Sequence, residues 1–206
     1  SLGSRGLGDV YKRQVTDLEV NPNNPTEFYV AYASGGLWHT KNNGTTFSPI
    51  MDNSMTQNIG DFAIDWKSNS IYVGTGESNS SRSSYPGIGI LKSNDNGSTW
   101  SNIGLRDSHH ISRVLVNPNN ENHIVVAVIG HLYTKNTQRG IFTSFDNGKT
   151  WEKSLFINDH TGAIDLVVDP ENFDIQYAAS WERERKAWNF VGSGDNSGIY
   201  KSIDGG

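Results

Sequence analysis

Four segments of the chain carry apolar and polar residues in one shared register: Asp17-Leu18-Glu19-Val20, Asp61-Phe62-Ala63-Ile64, Arg113-Val114-Leu115-Val116 and Asp165-Leu166-Val167-Val168. They align without a gap, and short runs of this kind bounded by turn residues predict strands, called A here. A turn follows, Asn/Pro-rich in three copies and Lys67-Ser68-Asn69 in the second, and then a second apolar run, B. It covers Phe28 to Ala33, Ile71 to Gly74, Ile124 to Ile129 and Gln176 to Ala179. A third run, C, covers Leu37 to Thr40, Ile88 to Lys92, Ile141 to Thr143 and Ile199 to Lys201. A fourth, D, starts at Phe47, Trp100 and Trp151. No segment shows the 3.6-residue period of a helix.

Between C and D the same turn recurs. It reads Thr40-Lys41-Asn42-Asn43-Gly44-Thr45-Thr46-Phe47, Ser93-Asn94-Asp95-Asn96-Gly97-Ser98-Thr99-Trp100, Ser144-Phe145-Asp146-Asn147-Gly148-Lys149-Thr150-Trp151 and, incompletely, Ser202-Ile203-Asp204-Gly205-Gly206. The Asp or Asn oxygen accepts from backbone N–H groups just ahead, and the Gly permits a positive φ. The aromatic ring is expected to anchor the turn to its flanking strands. The four Asx positions are 53, 51 and 58 residues apart, which is a repeat period. Asn42, Asp95, Asp146 and Asp204 are therefore expected to be structural, since an active site occurs once and these residues occur once per repeat. A calcium loop is not expected, because the alternating acidic ligands and terminal Glu of an EF-hand are missing.

Four-stranded antiparallel units at this spacing predict an all-β chain, a β-propeller arc of about four blades with repeats near 15–50, 59–103, 111–156 and 163–206. The turn and its period resemble the BNR or Asp-box propellers, which include sialidases, family 74 glycoside hydrolases, photosystem II assembly factors and the sortilin luminal domain. Ala33-Ser34-Gly35-Gly36-Leu37-Trp38 and Asp107-Ser108-His109-His110-Ile111-Ser112-Arg113 are most similar to the bacterial sortilin-like BNR-repeat proteins. The likeness covers Val15 to Gly206. It implies a secreted, periplasmic or cell-surface module that binds a peptide, protein or glycan on the face opposite the Asp-box turns. The alternatives it leaves are a glycoside hydrolase of the xyloglucanase-like type and an assembly-factor-like chaperone, and whether the chain is an enzyme stays open between them. Members of this group have six or more blades, so further blades are expected in missing parts of the chain. No sialidase residue carries over, because the Arg-Ile-Pro motif before the first Asp-box is not present.

In an antiparallel blade the A–B and C–D turns fall on one face and the B–C and D–A loops on the other. The second face varies in length, and loops that vary carry function. Its B–C loops run through Ser34-Gly35-Gly36, Thr75 to Gly87, Gly130 to Gly140 and Ser180 to Gly198. The candidate ligand-binding residues are Glu77, Arg82, His109, His110, Arg113, His131, Arg139, Trp181 and Arg183. In strand A, Asp17, Asp61, Arg113 and Asp165 occupy one aligned level. They make a channel-lining ion-pair belt or, with Asp61 and Asp165 as acid and base, a glycosidase pair, which needs carboxyl groups about 5 to 10 Å apart. No metal and no cofactor are expected, since an i, i+1 pair such as His109-His110 points in opposite directions on a strand.

Ser1 to Gln14 share no pattern with the repeats and read as an adapter- or vector-derived scar. Without their Arg5, Lys12, Arg13 and Asp9 the net charge moves from −5 to −7. That acidity and the absence of any long basic run argue against a nucleic-acid partner. The chain has no Cys, so it has neither disulfides nor Cys-based metal sites. No apolar run approaches the ~20 residues that span a bilayer.

Overall fold

The structure, a computed structural model, describes residues 14–206. The scar expected at Ser1 to Gln14 lies outside the described residues except for Gln14, whose carbonyl accepts from Ala33 N–H. Three four-stranded antiparallel sheets follow one another in chain order. The first holds β1 (Val15–Val20), β2 (Phe28–Tyr32), β3 (Gly36–Thr40) and β4 (Ser48–Pro49). The second holds β5 (Ile59–Asp65), β6 (Ser70–Thr75), β7 (Ile90–Ser93) and β8 (Ser101–Asn102). The third holds β9 (Ile111–Asn117), β10 (Asn120–Val128), β11 (Gly140–Ser144) and β12 (Glu152–Leu155). A fourth sheet pairs β13 (Thr161–Val168) with β14 (Gln176–Glu182), and a small hairpin of β15 (Glu184–Arg185) and β16 (Phe190–Val191) precedes its third strand, β17 (Gly198–Ser202). Among the described residues there is no helix, and hence none long and apolar enough to cross a membrane. This is an arc of a β-propeller.

The sheets stack through their faces. Phe62 and Leu91 of the second blade pack with Leu37 and Ala31 of the first, and Val126 and Ile124 of the third with Tyr72 and Ile90 of the second. Aligned positions show what this stacking does. Phe62, Val114 and Leu166 are 1%, 1% and 2% exposed, whereas Leu18, at the same place in the first blade, is 49% exposed. Leu37, Ile90 and Ile141 are 0%, 0% and 3% exposed, whereas Ile199 is 81% exposed. The strand A residue covers the preceding blade and the strand C residue the following one. Both outer faces of the arc thus offer apolar surface of the kind a further blade covers.

The Asp-Gly turns explain their own sequence. Asp95 Oδ1 accepts from Thr99 N at 2.8 Å and Oδ2 from the Thr99 hydroxyl at 2.6 Å, while Ser93 Oγ donates to Asp95 and accepts from Gly97 N at 2.8 Å. Asp146 repeats the set with Thr150, Ser144 and Gly148. These bonds hold the exposed carboxyl of Asp95 below its usual range and pull Asp146 down to about 2. Asn42 keeps the shape with an amide that donates to Thr46 instead. Two details differ from the sequence expectation. The residue before the Gly is also left-handed, with φ of 55° at Asn43, 55° at Asn96 and 63° at Asn147, and Asn tolerates this region best among non-glycines. The aromatic residue reaches past its own strands to the preceding blade, with Trp100 Nε1 donating to Ile50 O and Trp151 Nε1 to Ile103 O. The turns therefore clamp blade to blade. Asp95→Ala should lower the melting temperature at neutral pH and leave ligand affinity per folded molecule unchanged. Unchanged melting with lost binding would reverse that assignment.

Hydrogen bonds from Asn43 N to Thr26 O, Asn147 N to Asn122 O and Gly205 N to Asp174 O tie Asp-Gly turns to A–B turns. One face of the arc is therefore built wholly of short turns, and the other carries the long loops.

Candidate functional site

The aligned strand A residues of neighbouring blades meet one another. Arg113 donates from Nη1 to Asp61 Oδ1 at 3.3 Å, and from Nε and Nη2 to Asp165 Oδ1 at 3.0 and 2.9 Å. Asp61 is buried, its Oδ2 accepts from Val114 N at 2.7 Å, and burial with the nearby Asp17 pushes its carboxyl well above the usual range. One guanidinium therefore fills the space between the two carboxyl groups. A glycosidase pair needs that space for the scissile bond, so the geometry here is that of a belt of ion pairs. Glu19, one step along β1, is pushed up to about 7 by burial and by Asp17. A carboxyl raised in the folded state favours folding below its unfolded value of 4.5 and loses that contribution as pH rises toward 7. Glu19→Gln should accordingly raise the melting temperature at pH 8 relative to wild type and leave it nearly unchanged at pH 4. Equal shifts at both values would count against the perturbed carboxyl.

On the long-loop face, three loops lean on one another. The 76–89 loop closes with Glu77 N to Tyr85 O, and its Gly87 N donates to His109 O at 2.6 Å. Arg139, buried, ties down the next loop by donating to Ile129 O, His131 O and Thr134 O. Its role is to replace backbone partners that an irregular loop lacks. The third loop reaches back: Arg183 Nη2 donates to Gly130 O at 3.4 Å and Arg185 Nη2 to Ser80 O at 2.8 Å. Arg82 is exposed, and its carbonyl accepts from Tyr133 Oη at 2.9 Å.

A pocket of about 320 Å³ opens between these loops, lined by Tyr133, Arg139, His160, Glu182, Arg183 and Arg185 among others. Three of its lining residues are arginines whose charges lie close to one another. Burial, with Arg139 and Arg185 close by, lowers Arg183 to about 9, and burial lowers Arg139 to about 10. Nε and Nη1 of Arg183 and Nε of Arg139 and Arg185 have no hydrogen-bond partner. Nearby carboxylates are engaged elsewhere: Glu182 with Asn196 and His160, Glu184 with Lys186. Among the described residues no carboxylate is within ion-pair range of these three guanidinium groups. Two aromatic rings frame the cations, Trp181 5.4 Å from the Arg183 guanidinium and Phe190 4.1 Å from that of Arg185.

The nine residues singled out from the sequence therefore separate. Arg183 and Arg139 line the pocket, with Trp181 beside it; Arg113 sits in the channel belt. Glu77 and His110 are buried, His110 Nδ1 lying 2.8 Å from Glu77 O, and burial pushes His110 down to about 4. The histidine pair is not on a strand as expected, because it precedes β9 and His109 is left-handed at φ 56°. The two rings do diverge, and His109 stacks on His131 with centroids 3.6 Å apart. Glu182 and Arg185 fall in the Ser180 to Gly198 loop and His160 just before β13, and none of the three is among the candidates read from sequence. The signal was present in Trp181-Glu182-Arg183-Glu184-Arg185, where a two-residue period puts both arginines on one side.

No protein-family model and no curated protein matches this sequence. Solved structures do. An ancestral GH74 enzyme superposes with a TM-score of 0.69 at 22% identity, covering 95% of this chain and 23% of its own. The GH74 xyloglucanase from Xanthomonas campestris gives 0.63 at 15% identity, with 94% and 29% covered. YCF48 bound to D1 peptide gives 0.55 at 13% identity, with 89% and 53% covered. At these identities the likeness is one of fold, and the chain spans less than a third of the length of these two GH74 enzymes.

Proposed function

We propose that this chain is part of an Asp-box propeller of the sortilin-like kind, in a secreted or cell-surface protein, that binds a peptide or glycan in the pocket of the long-loop face. The observation that supports the reading is the Arg183 guanidinium, buried beside two further guanidinium groups with unpaired N–H groups and no carboxylate partner. Unpaired buried donors are costly, and an acceptor-bearing ligand group relieves that cost. Tyr133, which lines the pocket, supplies a flat apolar surface on which a sugar ring or peptide side chain rests. The test is a binding panel of xyloglucan oligosaccharides, uronate-containing oligosaccharides and peptides with free C-termini. At least one member should bind, and Arg183→Ala should weaken it by about 2 kcal/mol, the scale of an interface hot spot. Binding that ignores Arg183 would remove the proposal.

Glycoside hydrolysis is the second reading. It is favoured by the contrast between Asp61, whose carboxyl burial raises above its ordinary range, and Asp165 across Arg113, together with the shared fold of the GH74 enzymes. It requires Arg113 to leave the gap when substrate enters. Release of new reducing ends from xyloglucan, lost in Asp61→Asn, would establish it in place of the first. The peptide arm of the panel addresses the assembly-factor reading, since YCF48, a neighbour in fold, has been seen with a peptide.

A further inference from the structure

We infer that Asp107, His109 and His131 form a binding site for a divalent transition-metal ion, with zinc the member of the class that suits them best. One ligating atom from each of the three lies within 4.8 Å of the others. His131 Nε2 stands 3.0 Å from Asp107 Oδ1. Two ligands at zinc bond lengths of about 2.0 to 2.1 Å span that separation at roughly a right angle. The His109 ring lies on the His131 ring at 3.6 Å, inclined by 17°. Near-parallel rings do not yet aim at one point, so binding turns His109 about its own side-chain bonds. An imidazole pair with one carboxylate is a borderline donor set, suited to zinc, cobalt or nickel rather than to calcium or magnesium.

The residues behind the three ligands hold them as a second shell does. His131 Nδ1 is 2.7 Å from Thr134 Oγ1, which orients the ring with Nε2 toward Asp107. Asn136 joins the two ligand-bearing loops, accepting from His131 N at 3.1 Å and donating to Asp107 O at 2.7 Å. Gln138 accepts from Asp107 N at 2.9 Å. His109 keeps its left-handed backbone because its carbonyl is held by Gly87 N, with Gly76 packed so close that a Cβ there would sit 1.8 Å from that oxygen. The Asp107 side is open to solvent, so water or a ligand group completes the coordination, the arrangement of a zinc site with three protein ligands and one open position. The ion would sit one loop away from the Arg183 pocket, but the inference does not depend on what that pocket binds.

The test uses the purified protein, freed of metal with a chelator and titrated with zinc by calorimetry and with cobalt by visible absorption. One saturable site per chain is expected, with cobalt bands of a low-coordinate nitrogen and oxygen site. His131→Ala, His109→Ala and Asp107→Asn should each weaken zinc by about tenfold or more, the lower end of what a lost ligand or its support costs. His160→Asn, outside the cluster, should not change it. Circular dichroism of each variant checks that the fold is retained, and a variant that has lost it is replaced by His131→Gln, for which the same weakening is expected. No saturable binding, or binding that survives in His131→Ala or is lost equally in His160→Asn, would overturn the inference.

Discussion

Gly60→Ala will abolish the folded state or cost it about 4 kcal/mol or more, the range reserved for changes with no local relief. A Cβ at Gly60 would lie 1.8 Å from Ile111 O and 2.6 Å from Gly76 O. Both are backbone atoms, and one belongs to the strand of the next blade, so no rotamer change makes room. The second and third sheets must separate, and with them the burial of Tyr72, Ile90 and Val126. Folded domains hold only about 5 to 15 kcal/mol in reserve. Gly198→Ala is the matched control, because the nearest atom to its Cβ is Tyr200 Cε2 at 4.0 Å. Chemical denaturation of the two variants should give a large loss for the first and a change within about 0.5 kcal/mol for the second. Equal effects would mean that the blades do not approach as described.

Arg113→Leu should cost about 3 kcal/mol at neutral pH, the lower end for breaking a buried pair, since Arg113 is itself partly exposed. The loss falls on Asp61, which keeps Val114 N and the Asp17 carboxyl beside it but no opposing charge. Its carboxyl is already raised, and removing Arg113 raises it further. The sign follows: wild type and variant lose stability in parallel as pH rises through the ordinary carboxylate range, and the variant falls further behind only once pH passes the raised value of Asp61 in the wild type. Asp61→Asn added to Arg113→Leu should recover part of the stability at pH 7. A double variant no better than Arg113→Leu alone, or a loss independent of pH, would show that the belt is not what holds the strand A level together.

The repeat, the strands and the two faces were legible in the sequence because each rests on local chemistry that recurs: an apolar register, an Asx oxygen, a glycine. The turns' clamping of one blade to the next was not, since Trp100 and Trp151 reach across some fifty residues to Ile50 and Ile103. The site was half legible. Arg183 and Trp181 were both candidates in a long loop, and Arg183 lines the pocket while Trp181 packs on its guanidinium. His110 has the same composition-level signal yet turns inward to meet Glu77 O, and Arg139, though it lines the pocket, donates to loop carbonyls. Nothing in their own neighbourhoods distinguishes a cation that serves backbone from one that waits for a ligand. Loop pairings such as His109 on His131 depend on tertiary packing and lie beyond any spacing rule.

The most direct test sets Arg183→Ala beside Asp61→Asn on the strongest member of the binding panel, following affinity and product release together. A binding module predicts affinity lost in Arg183→Ala and kept in Asp61→Asn, with no product from either variant or from the wild type. Product formed by the wild type and abolished in Asp61→Asn, with Arg183→Ala binding like the parent, would contradict it.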